Sequence, residues 1–199
     1  LHGNLPVPID PDRFELQAEF SGQDLADLYP LVGLPVPESP PYVLRGSLAR
    51  NGRIVSYRGF RGTIGDSDIR GDLRVATGGP RIHARADLVS SHLDFDDLAV
   101  LVGAPPATGP GETANARQEL EARKRAMKSR VLPARPYDLE KLRLLDADVQ
   151  FRASRVESKK LPIDSLHAHV NLKSGVLKIQ PLEVGLAGET SADGGIVDA

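Results

Sequence analysis

The chain has 199 residues, 40% hydrophobic and 26% charged, enough apolar side chains for one globular domain or two small ones and too many for a disordered chain. Its 25 basic and 27 acidic residues leave a formal net charge of -2, which argues against nucleic acid as a partner and against a polybasic patch for anionic lipid heads. There is no cysteine, hence no disulfide framework, thiolate metal site or cysteine nucleophile.

Period-two alternation dominates from the first block onward. Phe14, Leu16, Ala18 and Phe20 alternate with Glu15, Gln17 and Glu19, the pattern of a half-buried strand. Ser21 or Asp24 then caps a short helical turn through Leu25, Leu28 and Leu31, which stops at Gly33 and a Pro-rich connector over 35–41. Tyr42, Leu44, Gly46 and Leu48 form the next apolar phase, and Asn51-Gly52 predicts a hairpin turn with positive φ at both central residues into a strand through Tyr57. A second hairpin follows, with Ile69, Gly71, Leu73 and Val75 facing Ile82, Ala84, Ala86 and Leu88 across Thr77-Gly78-Gly79-Pro80. Asp94 and Asp96 cap another short helix through Leu98, Val100 and Leu101 to Gly103. The stretches QDLADLYPLVGLPVP and DFDDLAVLVGAPPAT share a D-L, LVG-x-P skeleton about 70 residues apart, an internal repeat that points to a quasi-one-dimensional architecture.

Residues 104–111 are rich in Pro, Gly and Ala, and 112–130 are charged and free of Gly and Pro with a thin apolar stripe (Ala116, Leu120, Met127), which reads as a mobile insertion, helical at best in part. Alternation resumes at Ala147, Val149, Phe151 and Ala153, then Leu166, Ala168, Val170 and Leu172, with Ser174-Gly175 turning into 176–179 and a last run at Leu182, Val184 and Leu186. The expected fold is mainly β: an elongated, curved antiparallel β-meander or groove, or else a β-sandwich, with two short helices and the charged insertion. It divides into a first β-rich block over 1–103, a linker and insertion over 104–134, and a second β-rich block over 135–199. No run reaches the roughly 18 to 20 apolar residues of a membrane helix. The sequence reads as a fragment, with any membrane anchor outside it.

Few residue groups carry chemistry. His167 and His169 share a strand face as two metal ligands do, but no third ligand is near in sequence. Asp66-Ser67-Asp68-Ile69-Arg70-Gly71 begins like a calcium loop, then fails at position five, where Arg70 stands, and at position twelve, where Thr77 replaces the bidentate Glu. Arg70-Gly71-Asp72 spells an adhesion tripeptide inside an alternating strand. Asp94, Asp96 and Asp97 suit general acid/base work and, more simply, the first turn of a helix. Ser90 and Ser91 neighbour His92 without a nucleophile elbow. No catalytic residue, metal or cofactor is expected, and the protein is not read as an enzyme.

The stretches GQDLADLYPLVGLPVPESPPYVLRGSLARNG, GFRGTIGDSDIRGDLRV and LVSSHLDFDDLAVLVGAPP, followed by RPYDLEKLRLLDADVQFRASRV and LPIDSLHAHVNLKSGVLKIQPLEVGLAGE, resemble the AsmA family of Gram-negative envelope proteins. The resemblance leaves out the insertion at 112–130. It implies a periplasmic bulk anchored in the inner membrane by a segment absent from this chain, an architecture similar to bridge-like lipid carriers, and a part in phospholipid movement and outer-membrane integrity and assembly. It supplies no catalytic residues.

A meander with one apolar face must cover that face with a second sheet, helices or acyl chains, and a mostly aliphatic face suits loosely ordered lipid tails. The residues expected to line a lipid groove are Phe14, Leu16, Phe20, Tyr42, Leu44, Leu48, Ile69, Leu73, Ile82, Leu88, Val149, Phe151, Val170 and Leu172, all on the apolar phase of their strands. The expected partner is phospholipid or another acyl-chain lipid. The alternative is a non-catalytic structural or scaffolding β-module that contacts other envelope proteins without binding lipid.

Overall fold

The alternating segments become strands of nine to eleven residues whose apolar phases all have to face one way. A computed structural model describes residues 2–4, 10–28, 38–97, 108, 112–126, 145–158 and 162–186. Its strands are β1 (His2–Asn4), β2 (Arg13–Gly22), β3 (Tyr42–Asn51), β4 (Ile54–Ile64), β5 (Ser67–Ala76), β6 (Ile82–Ser90), β7 (Leu93–Asp94), β8 (Leu145–Ala153), β9 (Val156–Glu157), β10 (Ile163–Lys173) and β11 (Val176–Leu186). Nine form one sheet in the order β1-β2-β3-β4-β5-β6-β8-β10-β11, and β7 pairs with β9 apart from it. Among the described residues no second sheet of similar size covers the first, so the meander or groove describes the architecture and the sandwich does not.

The sheet is mixed where an antiparallel meander was expected. β6 and β8 run parallel, from Ile82 opposite Leu145 to Ser90 opposite Ala153, while every other pair in the large sheet is antiparallel. A hairpin cannot join parallel neighbours; the chain has to cross over. Residues 91–144 make that crossing, which gives the Pro-rich linker and charged insertion a structural task.

The turns follow their glycines. The β3–β4 hairpin places Gly52 and Arg53, not Asn51 and Gly52, at its centre, because Asn51 pairs with Ile54. Only the first central residue, Gly52, has positive φ (57°), the pattern of a type II′ turn. β4 continues past Tyr57 to Ile64, where Gly65 (φ 61°) opens the turn into β5. At Ser174 and Gly175 both central residues have positive φ, as a type I′ turn demands. The last two alternating runs of the sequence are one strand, β11, with Pro181 inside it.

One end of the sheet is closed by polar contacts between the two copies of the repeat and the insertion. Asp24 Oδ1 accepts the Ala26 N–H at 2.9 Å ahead of a 3₁₀ turn at Leu25–Leu28, and 70 residues on Asp94 Oδ1 accepts the Asp96 N–H at 2.8 Å. The repeat is therefore a repeated Asx cap. The rest of both predicted short helices, Leu31 to Gly33 and Leu98 to Gly103, lies outside the described residues. The insertion forms helix α1 (Ala116–Ala126). Asn115 and Gln118 exchange reciprocal hydrogen bonds, a capping box, at 2.8 and 2.9 Å. The Asn115 side chain also donates to the carbonyls of Gln23 and Ser39, and Arg117 pairs with buried Asp24 at 3.0 Å. The first turn of α1 is thus docked on the connection between β2 and β3.

Gly65 and Asp97 meet at the same end. Asp97 accepts the Asp66 N–H at 2.9 Å and the Ser67 hydroxyl at 2.7 Å, yet burial raises its carboxyl to about 6. An acid with a higher pKa folded than unfolded takes up its proton more readily in the native state. Its charge therefore weakens the fold as pH rises from about 4 through 6, and the loss is complete above that. Asp97→Asn keeps the acceptor and removes the charge. We expect it to be more stable than the parent by about 1–2 kcal/mol at neutral pH, the difference vanishing near pH 4, as read by urea denaturation at both pH values. A Cβ at Gly65 would meet the Asp97 carboxylate, whereas a Cβ at Gly52 would meet nothing within 4 Å. Gly52→Ala should cost about 1 kcal/mol for its left-handed backbone alone, and Gly65→Ala at least twice that, in the same denaturation experiment.

Candidate functional site

Register decides what the apolar phases build. Residues directly opposite one another in neighbouring strands project to the same side of a sheet. Leu16, Leu48, Tyr57, Leu73, Ala86, Val149, Val170 and Ile179 are consecutive partners from β2 to β11, one apolar row across eight strands. A second row runs Phe60, Gly71, Leu88, Phe151, Ala168 and Leu182. A third runs Val55, Val75, Ala84, Ala147, Leu172 and Leu177, and Phe14 lies beyond it across Arg50. Phe20 pairs with Leu44, Gly22 with Tyr42 and Ile82 with Leu145, while Ile69 sits opposite Gly62. All fourteen residues singled out in the sequence thus share one face.

They do not share one environment. Tyr42, Leu44 and Ile69 are buried in a cluster against which Leu16, Phe20, Leu48, Leu73, Leu88 and Phe151 pack. Leu172 anchors a second cluster that Ile82 joins. Phe14, Val149 and Val170 are half-buried and belong to no cluster. The face opens toward β11, where Leu177, Ile179, Leu182, Val184 and Leu186 are 42–59% exposed.

The centre of the face is a feature that alternation alone misses. β4 has one extra residue relative to both neighbours, since Arg58 and Arg61 face Ser47 and Arg45 on one side while Tyr57 and Phe60 face Leu73 and Gly71 on the other. Gly59, with φ 54°, absorbs it as a bulge, its N–H held by Asp72 at 2.9 Å. The bulge returns Phe60 to the face of Tyr57, and the two rings stack at 5.1 Å with Phe20 edge-on to Tyr57 at 5.4 Å. Burial pushes the Tyr57 hydroxyl up to about 12, so it stays a neutral donor to the Ala18 carbonyl. Gly59 between two aromatics three residues apart was the available sequence signal.

The polar groups separate into local pairs. His167 faces Glu183 at 3.2 Å and His169 faces Asp148 at 3.2 Å, each imidazole engaged by a different neighbouring strand. Ser90 donates to Asp68 rather than to His92, and His92 lies 3.8 Å from Glu157. Burial favours the neutral form of Asp68, but hydrogen bonds from His92, Ser90 and Ser91 outweigh it and hold the carboxyl below the usual range. Asp66, next along the calcium-like stretch, is bonded to Thr113 in the insertion. Among the described residues the one group of three close ligating side chains is Asp66, Asp94 and Glu112, with oxygens within 4.8 Å; burial first and the neighbouring acids second raise Asp94. Arg70-Gly71-Asp72 lies within β5. Among the described residues no helix is long and apolar enough to cross a membrane.

Comparison with known proteins agrees with the pattern of strands and turns. The AsmA family model matches residues 14–198. The AsmA family protein YhjG of Escherichia coli (strain K12) is 36% identical over 191 residues, covering 93% of this chain and 28% of that protein, so the chain spans a little over a quarter of that relative's length. No solved structure matches. A family model that spans nearly the whole chain, with a relative identical at more than a third of the aligned positions, shows that the chain belongs to the AsmA family.

Proposed function

We propose that this chain is a periplasmic, lipid-handling segment of an inner-membrane-anchored envelope protein, its apolar sheet face holding the acyl chains of phospholipid in support of outer-membrane assembly. The observation that carries the reading is the apolar row unbroken across eight strands, on a face that no second sheet covers among the described residues. Apolar surface of that extent is costly in water, and acyl chains can cover it without specific geometry. Half-buried Phe14, Val149 and Val170, which join no cluster, together with the exposed β11 side chains, are the part of the face with most left to cover. Membership of the family supports an envelope role.

The scaffolding alternative draws on one feature. β11 has a single strand neighbour among the described residues and exposes Ile179, Leu182 and Val184, which suits strand addition by a protein partner.

Solvent extraction and mass spectrometry of the protein purified from a bacterial envelope distinguish the two. We expect roughly one or more phospholipids per chain, falling severalfold in Val149→Glu and Val170→Glu, whose half-buried positions outside the core clusters should leave the strand circular dichroism intact. A folded parent without lipid would sink the lipid reading and leave the scaffolding one.

A further inference from the structure

The other face of the sheet gathers charge that the overall composition hides. Register sets Arg45 opposite Arg61, Arg61 opposite Arg70, and Arg74 opposite Arg85, while Arg58 projects beside them opposite Ser47. Directly opposed side chains start about 4.5–5.5 Å apart at Cβ, where like charges destabilise a sheet. Arg45 is neutralised by Glu19 at 2.7 Å. Arg58, Arg61, Arg70, Arg74 and Arg85 are all exposed, and no guanidinium group among them has an ion pair or hydrogen bond to the described residues. Asp68, Asp72 and Asp87 are the acids of these three strands on this face, and Asp148 of β8 stands opposite Arg85 at its edge; Asp68 is already engaged by Ser90, Ser91 and His92, Asp72 by the Gly59 N–H, and Asp148 by His169 and Asn171. Five guanidinium groups therefore stand over three strands against three carboxylates, two of them already engaged, in an arrangement that works against the sheet's own stability.

We propose that this polar face of β4, β5 and β6 is a docking surface for an anionic, phosphate-bearing bilayer. The cations are arginines, whose planar fork matches phosphate oxygens and is weakly hydrated. A protein partner would look for buried aromatic anchors, and single-stranded nucleic acid for stacking rings. Among the described residues the strands of this face offer neither, since Phe14, Phe20, Tyr42, Tyr57, Phe60 and Phe151 all point to the opposite side. Mobile anionic headgroups need no anchor; they move laterally until phosphates sit between the opposed guanidinium groups and relieve their repulsion. The surface is separate from the apolar face, so the two readings can fail independently.

Co-sedimentation with extruded vesicles tests it, comparing phosphatidylcholine vesicles that contain about 30% phosphatidylglycerol with pure phosphatidylcholine ones, at low and high salt. The parent chain should bind only the anionic vesicles and lose binding as salt rises. Combined Arg61→Gln, Arg70→Gln and Arg85→Gln should weaken binding roughly 100-fold, at roughly fivefold per arginine. The triple variant should melt no lower than the parent, because it removes like-charge pairs. A lower melting temperature would mean that the arginines hold the sheet together and would overturn the proposal. So would equal binding to neutral vesicles, a triple variant that binds as the parent does, or a chain that ignores anionic vesicles and binds polyglutamate, which would point to an acidic protein instead.

Discussion

Cross-strand register is the constraint on which the rest of this sheet depends. Side chains alternate with a period of two, so a slip of one residue at any pairing would turn every apolar side chain beyond it to the other face. The apolar phase nonetheless passes through seven successive pairings from β2 to β11. It survives three irregularities because each takes up one residue. Gly59 does so in β4. The Gln180-Pro181 segment does so in β11, where Pro181 has no N–H to give the ladder. On β10 the shift near Asp164 brings Ile163 into the cluster around Leu166. A bulge in this sheet is the device by which a break in sequence alternation leaves the face continuous.

The same logic separates what the sequence discloses from what it withholds. Strand identity and apolar phase are local properties, and the fourteen residues chosen on alternation alone fall on one face for that reason. The Tyr57–Phe60 stack is also local, but its spacing of three breaks the period being read, so the strand appears to stop at Tyr57 when it runs to Ile64. The capping box at Asn115 and Gln118 is written plainly in the sequence, four residues in a stretch whose overall composition suggests mobility. The parallel junction between β6 and β8 has no local signature, since β8 alternates in the same way whichever direction its neighbour runs. Nor does net charge report where charges go: -2 for the chain is compatible with five exposed arginines on one patch because other acids gather at the closed end and along β8, where Asp148 meets the edge of the patch opposite Arg85.

That closed end explains how the insertion and the repeat belong to one device. Asp24 and Asp94 occupy matching positions in the two copies of the repeat, each turning the chain after a strand. The insertion then uses both copies. Thr113 reaches Asp66 beside the second, and Asn115 and Arg117 reach Gln23, Ser39 and Asp24 at the first. Five residues of the crossover, 113–117, thereby span the distance between two repeat units and fix α1 over the β2–β3 connection. The buried groups there are polar, so their geometry is specific in a way the aliphatic face is not. Asp24 is 2% exposed and its carboxylate has three partners, whereas the side chains of β11 are open to solvent.

The two faces of the sheet consequently answer to different physics with one backbone. On the apolar side the strand pairing makes neighbours of Leu, Val, Ile and aromatic side chains, which gain from adjacency wherever they fall along the row. On the polar side the same pairing sets Arg61 against Arg70 and Arg74 against Arg85, which lose by it. Register cannot be altered to relieve the arginines without breaking the apolar rows, because both are fixed by the same hydrogen bonds. The arginines could be relieved only by replacing them or by bringing in external anions. An exposed strand position accepts Thr, Gln or Ser without loss to the apolar face. Five arginines at such positions, none with an ion pair or side-chain hydrogen bond among the described residues, are therefore a choice that the fold did not require.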